Sequence, residues 1–189
     1  HASSDERQPY TAEDREPCSI YVEDRMPLFG DLHVHTALSL DAHTQGTLNT
    51  PDDAYRYAKG QSLFLQPYKE DGTSSRISKL KQPLDFAAVT DHAELLGEVR
   101  LCTDPESQKY NSLQCKTYRN FPKLSYFYMN AKASMRKPLG ICGENRENCL
   151  DAAQLPWEET IDAAEQHYDR SKTCQFSTFV GYEWTGAAY

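Results

Sequence analysis

The chain has 189 residues and a formal net charge of −8, from 20 basic and 28 acidic side chains. This length is sufficient for one domain with a hydrophobic core and too short for two sizeable domains. No apolar run approaches the roughly 20 residues of a membrane-spanning helix, so the sequence excludes a membrane span. Because nucleic-acid phosphates are bound by basic surfaces, the acidic balance also argues against a nucleic-acid partner.

Strands and helices are predicted to alternate along the chain. Period-two and continuous apolar runs predict strands over residues 27–35, 84–90 and 176–185. Helical signals predict helices over residues 51–60, 93–99, 124–135 and 156–168. Asp71-Gly72 predicts a hairpin turn between two short extended pieces. This order predicts an α/β fold with parallel strands and right-handed crossovers.

Three regions differ in composition. Residues 1–20 are polar and charged, which predicts a flexible N-terminal tail. Residues 21–189 are expected to form one domain, within which residues 103–150 are a cysteine-rich, irregular excursion.

Six cysteines and no C-x2-C pair favour disulfides over a structural zinc site. The preferred local pairs are Cys102–Cys115 and Cys142–Cys149, which leave Cys18 for Cys174, although other connectivities are open. Disulfides indicate an oxidising compartment, so a periplasmic or secreted protein is expected. Six free thiols in a cytosolic protein are the alternative.

The motif with the clearest chemical meaning is His33-Val34-His35. Residues two apart on a strand point to the same face, so both imidazoles can reach one cation. Imidazole is the commonest neutral ligand of zinc, iron and related metals.

Further ligand types follow the ends of the three predicted strands. His92 ends the second strand, Glu183 lies near the end of the third, and Asp41 is expected in the loop after the first. The carboxyl ends of parallel strands meet at one rim, so these groups are predicted to share a metal site with His33 and His35. Glu94 is expected either to have a structural or supporting role or to hold a ligand histidine or a metal-bound water.

The runs Phe29-Gly-Asp-Leu-His-Val-His-Thr36 and Val89-Thr-Asp-His92 resemble the PHP (polymerase and histidinol phosphatase) superfamily. The longer runs 49–60 and 84–94 are similar to an uncharacterised, often exported branch of it, domain of unknown function 3604. The resemblance is strong over residues 28–102 and moderate over residues 157–185. It implies a distorted β/α barrel with up to three divalent ions (zinc, manganese or iron) at its rim.

The resemblance also assigns individual residues. It makes His33, His35, Asp41, His92 and Glu183 metal ligands and places Asp91 behind them as a supporting residue. It also implicates Glu183, Asp41 and Asp91 in catalysis. The family's later histidine and Asp-x-His motif do not occur before Tyr189. The chain is therefore expected to be the N-terminal part of a PHP-type barrel, completed by the remainder of its own polypeptide.

The expected function is metal-dependent hydrolysis of a small phosphorylated substrate, a phosphomonoester or phosphodiester, by a metal-activated hydroxide. Two alternatives remain at this stage. One is an amidohydrolase-like metal enzyme acting on amides or lactones, since that barrel also opens with H-x-H. The other is an exported, non-catalytic binding module whose metal is structural.

Overall fold

A computed structural model describes residues 17–19 and 23–185. Its elements are, in chain order, β1 (Gly30–Val34), α1 (Leu40–Thr44), α2 (Pro51–Ala58), β2 (Leu63–Leu65), β3 (Arg76–Ser78), β4 (Phe86–Val89), α3 (Leu96–Thr103), α4 (Leu113–Asn120), α5 (Pro122–Ser134), α6 (Glu147–His167) and β5 (Ser177–Val180). Short 3-10 turns lie over Ala93–Leu95 and Gly140–Cys142.

The central sheet has three parallel strands in the order β1-β4-β5. Gly30 pairs with Phe86, which in turn pairs with Ser177, so the three carboxyl ends lie side by side. The predicted α/β fold with parallel strands is therefore confirmed. Over residues 17–19 and 23–185 the strands do not close into a barrel.

One face of the sheet is covered by α2 and α6. Tyr55 of α2 is fully buried, and its hydroxyl accepts from Val89 N at 3.2 Å and donates to Phe179 O at 3.3 Å. The helices and strands share a core cluster of Tyr55, Ala58, Ala87, Val89, Ala163, Ala164 and Phe176. The other face leaves Leu32 and Phe179 more than half exposed, at 56% and 52%.

The predicted hairpin is present as the antiparallel pair β2 and β3, in which Leu63 faces Ser78. Its connection is longer than a two-residue turn. Asp71 accepts hydrogen bonds from the backbone and hydroxyl of Thr73, and Gly72 has a φ of +78° that suits glycine.

The excursion is far more helical than predicted. Where one helix was expected, α4 and α5 both form, and α6 begins at Glu147 instead of Pro156. Ser112 caps α4 through Cys115 N at 3.2 Å, a start signal that the weak periodicity concealed.

All three preferred disulfides are present: Cys18–Cys174, Cys102–Cys115 and Cys142–Cys149. The cysteines of the two local disulfides, Cys102–Cys115 and Cys142–Cys149, belong to a second core cluster. This cluster also contains Val99, Tyr118, Met129 and Ile141. Three disulfides are consistent with a compartment outside the cytoplasm. In the described part of the chain, no helix has the length and apolarity needed to cross a membrane.

The predicted flexible tail lies almost entirely outside the described residues. Of that tail the structure describes only residues 17–19, where Cys18 forms its disulfide. Ser19 also donates its backbone N–H and its hydroxyl to Lys172 O, each at 2.9 Å.

The loop that presents Cys174 is organised by Asp169. Its carboxylate accepts hydrogen bonds from the side chains of Ser171 and Thr173 and from Gln175 N, and these hold the pKa of Asp169 well below its usual range. A lowered carboxyl pKa contributes stability that is present above the unfolded-state pKa and lost as the pH falls.

We therefore expect Asp169→Asn to lower the free energy of unfolding by about 1 kcal/mol at pH 7, a small value because the residue is only partly buried. Denaturant unfolding at pH 7 and at pH 2 measures this difference. The deficit should shrink at pH 2, because this pH lies below the unfolded-state pKa of the carboxyl group, and an equal deficit at both pH values would contradict the role of the charge.

Candidate metal centre

The carboxyl ends of the three parallel strands bring the candidate ligands together. His33 lies in β1, with His35 directly after it, and His92 and Glu183 follow β4 and β5. His92 and Glu183 form a parallel backbone bridge that continues the ladder beyond the regular strands. The sequence prediction that these side chains share one rim is thus matched by their positions.

Glu183 and His35 are the centre of the cluster. Glu183 Oε2 lies 2.8 Å from His33 Nε2 and 2.8 Å from His35 Nε2. The other ring nitrogen of His35, Nδ1, lies 2.8 Å from Asp41 Oδ2. Each nitrogen of His35 therefore faces a carboxylate.

His92 completes the cluster from the second strand. Its Nε2 lies 3.9 Å from Asp41 Oδ2, and its Nδ1 lies 3.8 Å from Glu183 Oε1. The His35 ring centre is 4.9 Å from that of His33 and 4.8 Å from that of His92. Two ligand groups result, His33-His35-Glu183 and His35-Asp41-His92, and each has its donor atoms within 4.8 Å of one another.

The cluster shifts the pKa values of its members in opposite directions. Burial alone would lower the pKa of His35, but the hydrogen bonds and charges of Asp41 and Glu183 outweigh it and raise that pKa. Burial alone would raise the pKa values of the two carboxyl groups. Hydrogen bonds from Ser39 and His35 instead lower the pKa of Asp41. His35 and the other two histidines lower the pKa of Glu183. Both carboxylates are consequently held in the ionised form that binds cations.

Asp41 does not lie in a loop, as the sequence suggested, but in the first turn of the short helix α1. Ser39, the fully buried residue before that helix, donates its hydroxyl to Asp41 Oδ1 at 2.6 Å. The same Ser39 Oγ accepts from His92 N at 3.1 Å. Ser39 thus links two candidate ligands, Asp41 in the segment after β1 and His92 in the segment after β4.

Sequence reasoning missed Ser39, because α1 was not predicted and the Ser39 hydroxyl forms no capping bond in that helix. We expect Ser39→Ala to weaken divalent-metal binding about 10- to 100-fold, the usual range for losing a group that orients ligands. Isothermal titration with Mn²⁺ or Zn²⁺ measures this loss. Thr44→Val is the matched control, because Thr44 caps its own helix through Leu40 O; equal affinities in the two variants would contradict this role.

Asp91 lies behind the cluster. It is buried, and its two oxygens accept from Thr36 N at 2.5 Å and Thr36 Oγ1 at 2.7 Å. Burial raises the pKa of Asp91 despite these bonds. Its carboxylate ties the end of β4 to the residue that follows His35, a supporting position that the sequence had suggested.

Two more groups approach His92. Thr185 Oγ1 lies 3.1 Å and Glu94 Oε1 lies 3.4 Å from His92 Nδ1. Glu94 Oε2 is buried and has no hydrogen-bond partner among the described residues. An unpartnered carboxylate oxygen is costly unless a cation or proton satisfies it, so Glu94 extends the acidic side of the cluster.

Other polar clusters are accounted for without a metal. His43, two residues after Asp41, faces away from the cluster: its Nδ1 lies 2.8 Å from the Tyr118 hydroxyl, and burial lowers its pKa. Glu98 lies near Cys142 and Cys149, but those cysteines form a disulfide and cannot act as thiolate ligands.

The donor set fits a borderline divalent cation. Three imidazoles and two ionised carboxylates meet, and His35 belongs to both ligand groups. Nitrogen and oxygen donors in this ratio suit zinc, manganese or iron better than calcium, which prefers oxygen alone.

The family model described as "Protein of unknown function (DUF3604)" matches residues 22–189. The chain belongs to the DUF3604 family. No curated protein and no solved structure matches it. All five candidate ligands of this DUF3604 chain lie within the matched residues.

A cavity of about 500 Å³ adjoins the cluster in the DUF3604 chain. It runs from His33 and His35 along the free edge of β1, between α2 and the β2–β3 hairpin. Its deeper wall is apolar, formed by Val34, Leu63, Leu65, Leu80 and Leu84. The candidate ligand groups therefore open onto a space large enough for a small organic molecule.

Proposed function

We propose that this chain carries the metal centre of a PHP-type hydrolase that cleaves phosphomonoesters or phosphodiesters. The observation that carries the proposal is the convergence of His33, His35, Asp41, His92 and Glu183, from three strand ends, into two ligand groups that share His35. Divalent cations held in this way supply a water of lowered pKa and neutralise the charge of the phosphoryl oxygens.

The chain's own residues have distinct tasks in this proposal. Glu183 and Asp41, both ionised, would hold cations on either side of His35. Ser39 and the Asp91–Thr36 pair would keep these ligands in place, because each links the segment after β1 to the segment after β4. The cavity beside β1 would receive the organic part of a small phosphorylated substrate.

We further propose that other segments of the same polypeptide complete the barrel. Leu32 and Phe179 lie on the uncovered face of the sheet and are exposed, and β1 and β5 both offer a free strand edge within the described residues. Such a face and such edges are normally covered in α/β proteins. A periplasmic or secreted location is proposed from the three disulfides.

The test is a hydrolysis assay on the purified protein, stripped with a chelator and reloaded with Mn²⁺, Zn²⁺ or Fe²⁺. 4-Nitrophenyl phosphate and bis(4-nitrophenyl) phosphate are compared with a lactone and an anilide. We expect metal-dependent release of nitrophenol from a phosphoester, and a loss of about 100-fold or more in kcat for Glu183→Gln. Glu158→Gln, an exposed change of the same kind on α6, should leave the rate unchanged.

The alternatives predict different results in the same assay. Metal-dependent cleavage of the lactone or anilide alone would replace the phosphoesterase assignment with an amidohydrolase-like one. Metal bound at full stoichiometry with no hydrolysis of any substrate would make the protein a binding module. Phosphoester hydrolysis that is equal in the parent and Glu183→Gln would place the activity outside this cluster.

A further inference from the structure

A second pocket, of about 250 Å³, is lined in part by Glu94, whose Oε1 lies 3.4 Å from His92 Nδ1. It is formed where the C-terminal end of α5 and the segment after it meet the start of α3. Four basic side chains line it: Lys132, Arg136, Lys137 and Arg146. The chain as a whole has a net charge of −8, so a small pocket lined by four basic side chains differs in sign from the rest of the protein.

The acidic groups of this pocket are Glu94 and Glu98. Glu98 is buried at 3% exposure, and its Oε1 lies 3.4 Å from Arg146 Nη2. The same guanidinium nitrogen lies 3.4 Å from the Glu94 backbone oxygen. Arg146 thus neutralises the buried carboxylate of Glu98.

The two lysines are placed for an external anion. Lys132 is half-buried and its ammonium lies 5.8 Å from the Tyr128 ring centre, whereas Lys137 is exposed at the rim. Within residues 17–19 and 23–185, neither lysine forms an ion pair with a carboxylate.

The backbone around the pocket is strained in a specific pattern. Arg136 and Arg146 have φ values of +52° and +62°, and the described residues contain just one other non-glycine residue with positive φ, Cys174. Left-handed arginines cost free energy, and such conformations persist only where the surrounding structure holds the backbone in place. Both of these arginines line this one pocket.

We propose that this pocket binds an oxyanion, namely a second anionic group (carboxylate, sulfate or phosphate) of the molecule whose phosphoester lies at the metal centre. The volume of the pocket suits a small group and not a macromolecule. Ammonium and guanidinium donors at several angles are the usual partners of such oxygens. Assigning the anion to the substrate rests on the proposed phosphoesterase function; the oxyanion site itself does not.

Direct binding is the first arm of the test. Inorganic sulfate is titrated calorimetrically into the full chain at low ionic strength, after chelation and in a His33→Ala, His35→Ala background, so that the metal centre contributes nothing. We expect Lys132→Gln with Lys137→Gln to weaken sulfate binding at least about tenfold, since two charge-assisted contacts are lost. The control is Lys116→Gln with Lys123→Gln, an identical charge change at exposed positions outside the pocket. Equal affinities in the two double variants, or no sulfate binding by either, would overturn the site.

The second arm distinguishes a substrate group from a free oxyanion. Two phosphoesters are compared that differ at one end, where one carries a carboxylate and the other its neutral amide. With the carboxylate substrate, the Lys132→Gln, Lys137→Gln variant should have a KM raised about tenfold and an unchanged kcat. With the amide, parent and variant should match. Sulfate binding without this KM difference would overturn the substrate assignment, and loss of all hydrolysis leaves the first arm as an independent measurement.

Discussion

Replacing His35 by alanine is expected to abolish divalent-metal binding, with an affinity loss of more than about 100-fold. His35 is the one residue that belongs to both ligand groups, and its two ring nitrogens each lie 2.8 Å from a carboxylate oxygen. Its removal leaves His92 to face both carboxylates, at the longer distances of 3.9 Å from Asp41 and 3.8 Å from Glu183. Both groups should therefore fail together, and elemental analysis after dialysis against Mn²⁺ or Zn²⁺ measures the stoichiometry.

The matched control for this experiment is His43→Gln. His43 is the nearest histidine in sequence that belongs to neither ligand group, and its hydrogen bond to Tyr118 places it outside the cluster. We expect this variant to retain the metal content of the parent. A His35→Ala protein that is folded, by circular dichroism, and still binds metal at the parent's stoichiometry would refute the shared-ligand arrangement.

Gly97→Ala is expected to lower the free energy of unfolding by about 3 kcal/mol, the upper part of the range for overpacking a core. Gly97 lies in α3 against α6, and a Cβ there would stand 1.8 Å from Cys149 O. The obstacle is backbone, and Cys149 is tied by its disulfide to Cys142, so the contact cannot be relieved by turning a side chain. The two helices would have to separate.

Urea unfolding monitored by circular dichroism measures this change. Gly181→Ala provides the comparison, because a Cβ at Gly181 would meet the methyl group of Thr90 at an ordinary 3.4 Å. We expect the control to lie within about 1 kcal/mol of the parent. A Gly97→Ala protein as stable as the control would show that the α3–α6 contact tolerates expansion.

The parallel sheet and the ligand cluster were largely predictable from the sequence. A continuous apolar strand such as Phe86–Val89 has a clear signal, and parallel strands must bring their carboxyl ends to one rim. This geometry alone places His92 beside Glu183, which is 91 residues away along the chain. The disulfide pairs were predictable because two of them close short loops, of sequence separation 13 and 7.

The helices of the excursion were not predictable from periodicity. Helix α5 buries only two of its described residues, Ser125 and Met129, and large apolar side chains such as Phe127 are exposed. The sequence of α5 therefore lacks the apolar stripe that marks an amphipathic helix. The start of α6 was misplaced because Pro156 is a usual first-turn residue, whereas here it lies inside the helix and is buried. Tertiary packing around Cys149 extends the helix in the N-terminal direction, from Pro156 back to Glu147.

The supporting groups of the metal centre were missed for a different reason. Ser39 and Thr36 are short hydroxyl residues that recur throughout the sequence, and their meaning depends on partners about 53 and 55 residues away. No local pattern reveals such a pair. The ligands themselves are rarer residue types at strand ends, which is why they could be found first.

The long helix α6 joins two cores that otherwise share little. Its N-terminal part contributes Cys149 to the disulfide-rich cluster, and its C-terminal part contributes Ala163 and Ala164 to the cluster beneath the sheet. Reduction of the Cys102–Cys115 and Cys142–Cys149 disulfides would therefore loosen the first half of this helix, while the second half stays packed against the sheet. Amide hydrogen exchange after reduction should accordingly divide the molecule into two cooperative units. The unit that contains the basic pocket should lose protection, and the unit that contains the histidine cluster should keep it.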